Sequence, residues 1–507
     1  MRACCSLGLL LLTAAAGFAS VYDDVPITRD LSGYTGQDAP AQLARQMQRT
    51  EPFRAETVLG SRDSVASMVI LMEEGLSDSL EAGLLEQWLE DMEAEEYQAQ
   101  VVEITYGTPE EIRSFLDSLH ADGMQGALLV GDLPAAWAAL DDSKGRASEM
   151  FPSDYFYMDL DGEWQDLWMG YPSAQNPGQD GFYDTWSGEL GPEVWAARIR
   201  VDNLSTLGDP VEMLEAYLER NHDWRQNGDP EPVRALCYVD DDWSFWGGQY
   251  QDAMELLYQD VELFNTDSLT TGPDYEENRL PDSYVWISPY VHSGPWVHQW
   301  SPGPSTTWDE ILPIGPTARF YNLFACSNCR FTTPRNMGAI YAFATESGLA
   351  SIGSTKSGAM LHFPQFYGPL GGGATLGEAY RLWWEDIAQG GLTPSEKYWH
   401  LGMVLLGDPT LVPSMFLTGV EGGGPGAQVA SLTAAPNPAV SSVTLFASRP
   451  SAGSMELYDT AGRRVASGEI RGSGHLTVEG LAAGVYTAVA RWEDGGFASA
   501  RITVLSR

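Results

Sequence analysis

Two stretches decide how this chain is read: Ser283-Tyr-Val-Trp-Ile-Ser-Pro-Tyr-Val-His292 and Ala318-Arg-Phe-Tyr-Asn-Leu-Phe-Ala-Cys326. Each is a short apolar run, rich in aromatic residues, of the length a buried strand takes. Each ends in a side chain with reactive chemistry. As neighbouring parallel strands they would bring imidazole and thiol out side by side at the carboxyl edge of a sheet, where open α/β sheets carry their sites. The separation of 34 positions between the pair leaves room for a crossover with a short helix near Trp308-Asp-Glu-Ile-Leu312. The same residues also fit a plainer reading, in which His292 caps a strand and Cys326 is a small buried apolar side chain.

The regions around these runs alternate strand and helix. Upstream, Met68-Val-Ile-Leu-Met72, Val101-Val-Glu-Ile104 and Gly126-Ala-Leu-Leu-Val130 read as buried strands. Helical stripes lie between them, at 79–92 and after Thr108-Pro109-Glu110-Glu111, where proline opens the first turn. Downstream, Ala235-Leu-Cys-Tyr-Val-Asp240 runs into Asp241-Asp242. A helix at 249–259 follows, then the two decisive runs, a helix at 336–345, the strand Leu349-Ala-Ser-Ile-Gly353 and a helix at 375–389. This β-α-β order implies parallel sheets covered on both faces. The expectation is an α/β fold with two parallel-sheet subdomains, 61–230 and 231–412, flanked by helices.

At 507 residues and 44% hydrophobic content the chain has apolar material for two or three cores. Residues 1–19 read as a secretory signal peptide, with Arg2, the apolar stretch 7–16 and a small-residue cleavage site at Ala19. No later stretch has the roughly 18 apolar residues of a membrane span. Removal of the leader takes Cys4 and Cys5 with it and leaves Cys237, Cys326 and Cys329. An odd number in an exported chain argues for at least one free thiol. The net charge of −42 makes nucleic acid and anionic lipid poor partners.

That charge is uneven. Residues 431–507 hold seven Lys+Arg against six Asp+Glu, so the acid belongs to the region before them. The boundary coincides with Glu421-Gly-Gly-Gly-Pro-Gly426, inside a Gly/Pro linker at 413–430. Beyond it, short alternating segments such as Val443-Thr-Leu-Phe446 and Val485-Tyr-Thr-Ala-Val489 predict a small antiparallel β-sandwich at 431–507, with turns at 459–462 and 493–496. Residues 20–60 are polar with little period and read as an extended lead segment, either a short pro-region or disorder.

A thiol of ordinary pKa needs a base to act as a nucleophile at neutral pH, and His292 is the candidate. The amides of Ser293 and Gly294, together with that of Cys326, are candidates for an oxyanion hole. Cys329 forms a Cys-x-x-Cys with Cys326, which leaves three roles open: a wall residue, a reversible redox brake or half of a zinc site. Zinc is the least favoured, since no second Cys/His pair stands at ligand spacing. His298 and His400 lie in aromatic surroundings and read as core. Asp154-Tyr-Phe-Tyr-Met-Asp159-Leu-Asp161-Gly162 is either a calcium loop held by Asp154, Asp159 and Asp161 or a solvated acidic loop.

Several motifs, in order, resemble the gingipain-like cysteine peptidases of the clan that includes caspases and legumains. They are Val130-Gly-Asp132, Pro192-Glu-Val-Trp-Ala-Ala-Arg198, Tyr290-Val-His-Ser-Gly294, Phe324-Ala-Cys-Ser-Asn328, Ile352-Gly-Ser-Thr355 and Leu406-Gly-Asp-Pro-Thr410. The resemblance implies a caspase-like fold and endopeptidase activity on protein or peptide substrates. Cys326 would be the nucleophile, His292 the base and then acid, and Glu193 the carboxylate that orients the imidazole. Catalysis would need no cofactor, and calcium would be structural. Ser293 stands where the family usually has glycine, Cys329-Arg330 replaces its Gly-Asp, and the long gingipain pro-domain is missing.

The C-terminal segment is similar to the immunoglobulin-like sorting domains of type IX secretion, through Ala435-Pro-Asn-Pro438, Glu456-Leu-Tyr-Asp-Thr-Ala-Gly-Arg-Arg-Val465 and Leu481-Ala-Ala-Gly-Val-Tyr486. That likeness implies a secreted or cell-surface protein handed to the secretion machinery. The competing reading is a catalytically inactive surface module that keeps the scaffold and binds protein or glycan through aromatics such as Trp164, Trp168 and Trp296.

Overall fold

The apolar runs form a single sheet. In the computed structural model of the chain, residues 25–413 are described except 50, 61–65, 96, 141–148, 170–176 and 229–232. In the C-terminal part the described residues are 432–435, 442–447, 453–459, 464–470, 475–482, 484–492 and 497–504. The expected leader, the linker at 421–426 and the turns at 460–462 and 493–496 lie outside them.

Eleven strands make up the central sheet: β1 (Arg54–Leu59), β2 (Met68–Glu73), β3 (Ala99–Thr105), β4 (Gly126–Val130), β5 (Trp195–Ile199), β6 (Arg234–Val239), β7 (Asp260–Phe264), β8 (Trp286–Tyr290), β9 (Phe320–Asn322), β10 (Ala350–Ser354) and β11 (Met403–Gly407). Their spatial order is β1-β3-β2-β4-β5-β11-β10-β9-β8-β6-β7. Pairing is parallel except where β1 meets β3 and β10 meets β11.

The expected division into two sheets at residue 230 is therefore corrected. The five buried residues of β11 enter between the halves, parallel to β5 through Leu406 opposite Arg198 and antiparallel to β10. The apolar period of Met403-Val-Leu-Leu-Gly407 marks a buried strand but carries no information about which neighbours it takes. The chain after β11 is pinned by Asp408, whose carboxylate accepts from the Trp88 indole, Asn221 and Arg225. This ties Leu84–Ala94 and Pro210–Asn227 to the same end of the sheet.

Local chemistry sets the remaining elements. Helix Pro109–Ala121 starts on a capping box in which Thr108 Oγ1 accepts from the Glu111 amide and the Glu111 carboxylate accepts from that of Thr108. The helix expected at 79–92 begins later, at Leu84, after a 3-10 turn at Ser77–Ser79. The one expected at 336–345 is a single α-turn followed by π-helix at Ile340–Ala344. At Gly126 an added Cβ would stand 2.0 Å from the Trp195 ring, so only glycine lets β4 and β5 pair with that indole between them.

The C-terminal strands form two antiparallel sheets, one of three and one of four strands. They enclose a separate core that includes Leu445, Leu457, Ala488 and Ile502. The alternating pattern marks five of these strands; Leu432–Ala435 and Arg464–Ile470 are additional.

Candidate active site

β8 and β9 are parallel neighbours, with Trp286 opposite Phe320 and Ile287 opposite Tyr321. A further bridge joins Tyr290 to Phe324, and the Val291 amide donates to the Phe324 carbonyl. The two decisive runs thus end at one carboxyl edge. His292 opens a small antiparallel sheet, His292–Gly294 with Val297–Gln299 and Thr306–Thr307. Cys326 lies two residues past the Phe324 bridge, and its thiol donates to the carbonyl of Ser293, the residue after His292.

The turn that presents Cys326 is built tightly. Ser327 takes φ +55°, a left-handed conformation unusual for a residue with a side chain. Its amide donates to the Lys356 carbonyl, the Cys329 amide donates to Ser354 at the end of β10, and the Asn328 side-chain amide donates to Gly294. The nucleophile candidate is thus clamped between two neighbouring strand ends.

His292 is bonded at both ring nitrogens. Nδ1 accepts the backbone N–H of Arg29 at 3.1 Å, so in the neutral ring Nε2 carries the proton and donates to Asp242 Oδ2 at 2.9 Å. Trp243 packs edge-on against the imidazole, 4.7 Å between centroids. Burial lowers the His292 pKa below the ordinary imidazole value, with Asp242 opposing the shift. Burial likewise raises the Cys326 thiol well above its usual value, reinforced by the charge of Glu149. Both groups are neutral at neutral pH in this state.

The carboxylate beside the imidazole is therefore Asp242, not the expected Glu193. Glu193 Oε2 accepts the Leu160 amide, and its carboxylate groups with those of Asp159 and Asp161. Asp242 follows β6, the strand on the other side of β8. Its signal in the sequence is the triple aspartate at the end of Ala235-Leu-Cys-Tyr-Val. The expected oxyanion residues Ser293 and Gly294 do lie beside Cys326, but the Ser293 amide donates to the carbonyl of Arg29 at 3.2 Å.

The expected metal set is also corrected in one member. Asp154 is buried in a two-pronged ion pair with Arg198, at 2.9 and 2.7 Å, and has no oxygen directed at the acidic group. Among the described residues, Asp159, Asp161 and Glu193 have the chemistry to hold a hard cation. The fit is partial, because Asp159 already accepts from the Gly162 amide and the Trp164 indole. Burial pushes Asp159 up to about 6.

The three described cysteines are free thiols. Cys329 Sγ lies 3.8 Å from Ser351 Oγ and fills the space beside Gly338 and Gly353, as a wall residue does. His298 is buried between Ser293 Oγ and Tyr341, and His400 is buried against Trp383, in line with their reading as core. Trp164 is core as well, while Trp168 and Trp296 are partly exposed. No helix among the described residues is long and apolar enough to cross a membrane.

No family model matches the chain, and no curated protein does. Among solved structures it is similar to the superoxide reductase (neelaredoxin) of Ignicoccus hospitalis, at 12% identity over 16% of this chain and 81% of that one. A variant of the same reductase aligns at 16% identity over 16% of this chain and 82% of that one. The TM-score is 0.13 in both cases, too low to bear on fold or chemistry.

Proposed function

We propose that the chain is a gingipain-like cysteine endopeptidase in which Cys326 is the nucleophile, His292 the base and then acid, and Asp242 the carboxylate that holds the imidazole. The single observation that carries the reading is the pairing of β8 with β9, which delivers imidazole and thiol to one sheet edge. In the reaction, His292 Nδ1 takes the thiol proton as sulfur attacks a peptide carbonyl, and Asp242 steadies the imidazolium through Nε2. The amides of Ser293 and Gly294 hold the developing oxyanion. His292 then protonates the leaving amine, and water added across the thioester releases the acyl half. No cofactor takes part; a cation at Asp159, Asp161 and Glu193 would be structural.

In this reading the C-terminal β-sandwich is an immunoglobulin-like sorting domain that engages the secretion machinery, and the mature enzyme acts outside the cell or on its surface. A peptide-library digest tests the activity: wild type cleaves and Cys326→Ala does not. The competing reading, a binding module without catalysis, draws on the full burial of Cys326. It predicts that no peptide is cleaved and that alkylating agents react with Cys326 no faster than with Cys237.

A further inference from the structure

The lead segment, expected to be an extended stretch that is either a short pro-region or disorder, crosses the candidate site. Residues 25–30 run over His292 and the small sheet beside it, bonding His292, Ser293 and the Trp243 that packs on the imidazole. The Trp243 indole donates to the Pro26 carbonyl at 2.7 Å. Thr28 is fully buried, its hydroxyl donating to the Gly358 carbonyl at 3.0 Å and accepting the Gly358 amide at 3.2 Å. The Arg29 N–H fills the Nδ1 lone pair of His292, and the Arg29 carbonyl takes the Ser293 amide. Asp30 covers Gly294: its Oδ2 lies 2.3 Å from where a Cβ on that glycine would stand. Gln299 fastens the end by donating to Asp30 Oδ1 and accepting the Leu31 amide.

Two features set this stretch apart from the residues C-terminal to it. Residues 31–33 are exposed and include a turn at Gly33, φ +84°, with open space where a Cβ on it would stand. Beyond that turn the segment is anchored independently. Helix Ala39–Gln46 buries Ala39 and Leu43, and Gln46 bonds the backbone on both sides of Ala135. A cut in the exposed turn would therefore free the covering residues and leave the anchor in place, and exposed turns are preferred sites of proteolytic nicking.

We propose that residues 25–30 form an autoinhibitory strap lying where a substrate backbone would lie, and that hydrolysis of the chain at 31–33 releases it. This rests on the peptidase reading of the same site. With the strap in place the base has no free lone pair at Nδ1 and one oxyanion amide is already spent on a carbonyl. The releasing step adds one water across one amide bond, leaving a new carboxylate on the strap and a new amine on the body. A second copy of the chain or another peptidase performs it. Burial raises the Cys326 thiol, and the charge of Asp30 in the strap adds to that rise.

The test compares the full chain with its Arg29→Pro variant, which lacks the N–H given to His292, and with Thr28→Val, which loses the Gly358 bonds. Iodoacetamide labelling is followed by mass spectrometry at Cys326, with Cys237 as the buried reference. Labelling of Cys326 should rise about tenfold or more in at least one folded variant, as expected for loss of one or two hydrogen bonds. A synthetic peptide of residues 22–34 should return it to the wild-type rate. Wild-type labelling as fast as in both variants, or equally slow labelling in folded variants, overturns the strap. If labelling rises but no peptide is cut by any form, the strap stands and the peptidase assignment fails.

Discussion

Replacing Asp242 tests which carboxylate serves His292. Asp242 Oδ2 lies 2.9 Å from Nε2, and the aspartate side chain is 49% exposed, against 5% for the histidine. A hydrogen bond to a charged partner contributes about 1.5–3 kcal/mol, and the open side of Asp242 places it at the lower end through solvent screening. In the transition state the imidazole becomes a cation, so the lost contact raises the barrier. About 1.5 kcal/mol corresponds to roughly a tenfold fall in kcat for Asp242→Asn. Asp242→Ala, which also removes the acceptor, should fall further. The assay is kcat and kcat/KM on a peptide substrate over a pH series, with the strap displaced. Because Asp242 opposes the downward shift of His292, its loss should move the acidic limb of kcat/KM to lower pH. Glu193→Gln is the control and should leave both the rate and that limb unchanged. A tenfold loss in Glu193→Gln, with Asp242→Asn unaffected, would refute the assignment of Asp242.

Other consequences can be measured on stability. Asp159 and Asp240 are pushed by burial up to about 6 and about 7, against an unfolded value of 3.8. Between about pH 4 and pH 7 the folded chain therefore holds protons that the unfolded chain has released, and stability should fall as pH rises. Tm against pH should show that slope, and Asp159→Asn should flatten its lower part; a Tm that climbs through the window contradicts the origin. If the group at Asp159, Asp161 and Glu193 holds calcium, added Ca2+ should raise Tm above pH 6 in wild type but not in Asp161→Asn. Ser327→Val should cost about 2 kcal/mol at a left-handed position that a β-branched residue tolerates poorly, whereas Ser327→Gly should stay within about 0.5 kcal/mol. Gly126→Ala should lower stability by about 2 kcal/mol or more through collision with Trp195, seen as a lower denaturant midpoint with unchanged slope.

The parts of the fold readable in the sequence are those encoded by burial on both faces. The runs ending at His292 and Cys326 are largely apolar because β8 and β9 are covered above and below, and their length limits them to strands. Strand order is carried by long-range pairing, which is why β11 gives no sign that it joins two halves into one sheet. The same limit hides Asp242. The triple aspartate at the end of β6 is visible, but its place beside His292 follows from β6 lying next to β8. Glu193 is singled out by a resemblance alone, and the structure gives its carboxylate to the Leu160 amide. Residues 25–30 show no periodicity, and Pro26 and Arg29 are held through backbone bonds, which leave little trace in side-chain type. Ser327 cannot be singled out either, since serine is common in turns and its backbone angle appears only in the folded chain.

The shared chemistry of sulfur and imidazole is tested most directly by the pH profile of Cys326 alkylation in strap-displaced protein, wild type beside His292→Ala. The wild-type thiol should react near neutral pH with a profile set by His292, and the alanine variant should lose this reactivity while Cys237 is unaffected. Identical profiles at Cys326 in the two proteins would contradict the pairing, because the thiol would then be reacting without help from the imidazole.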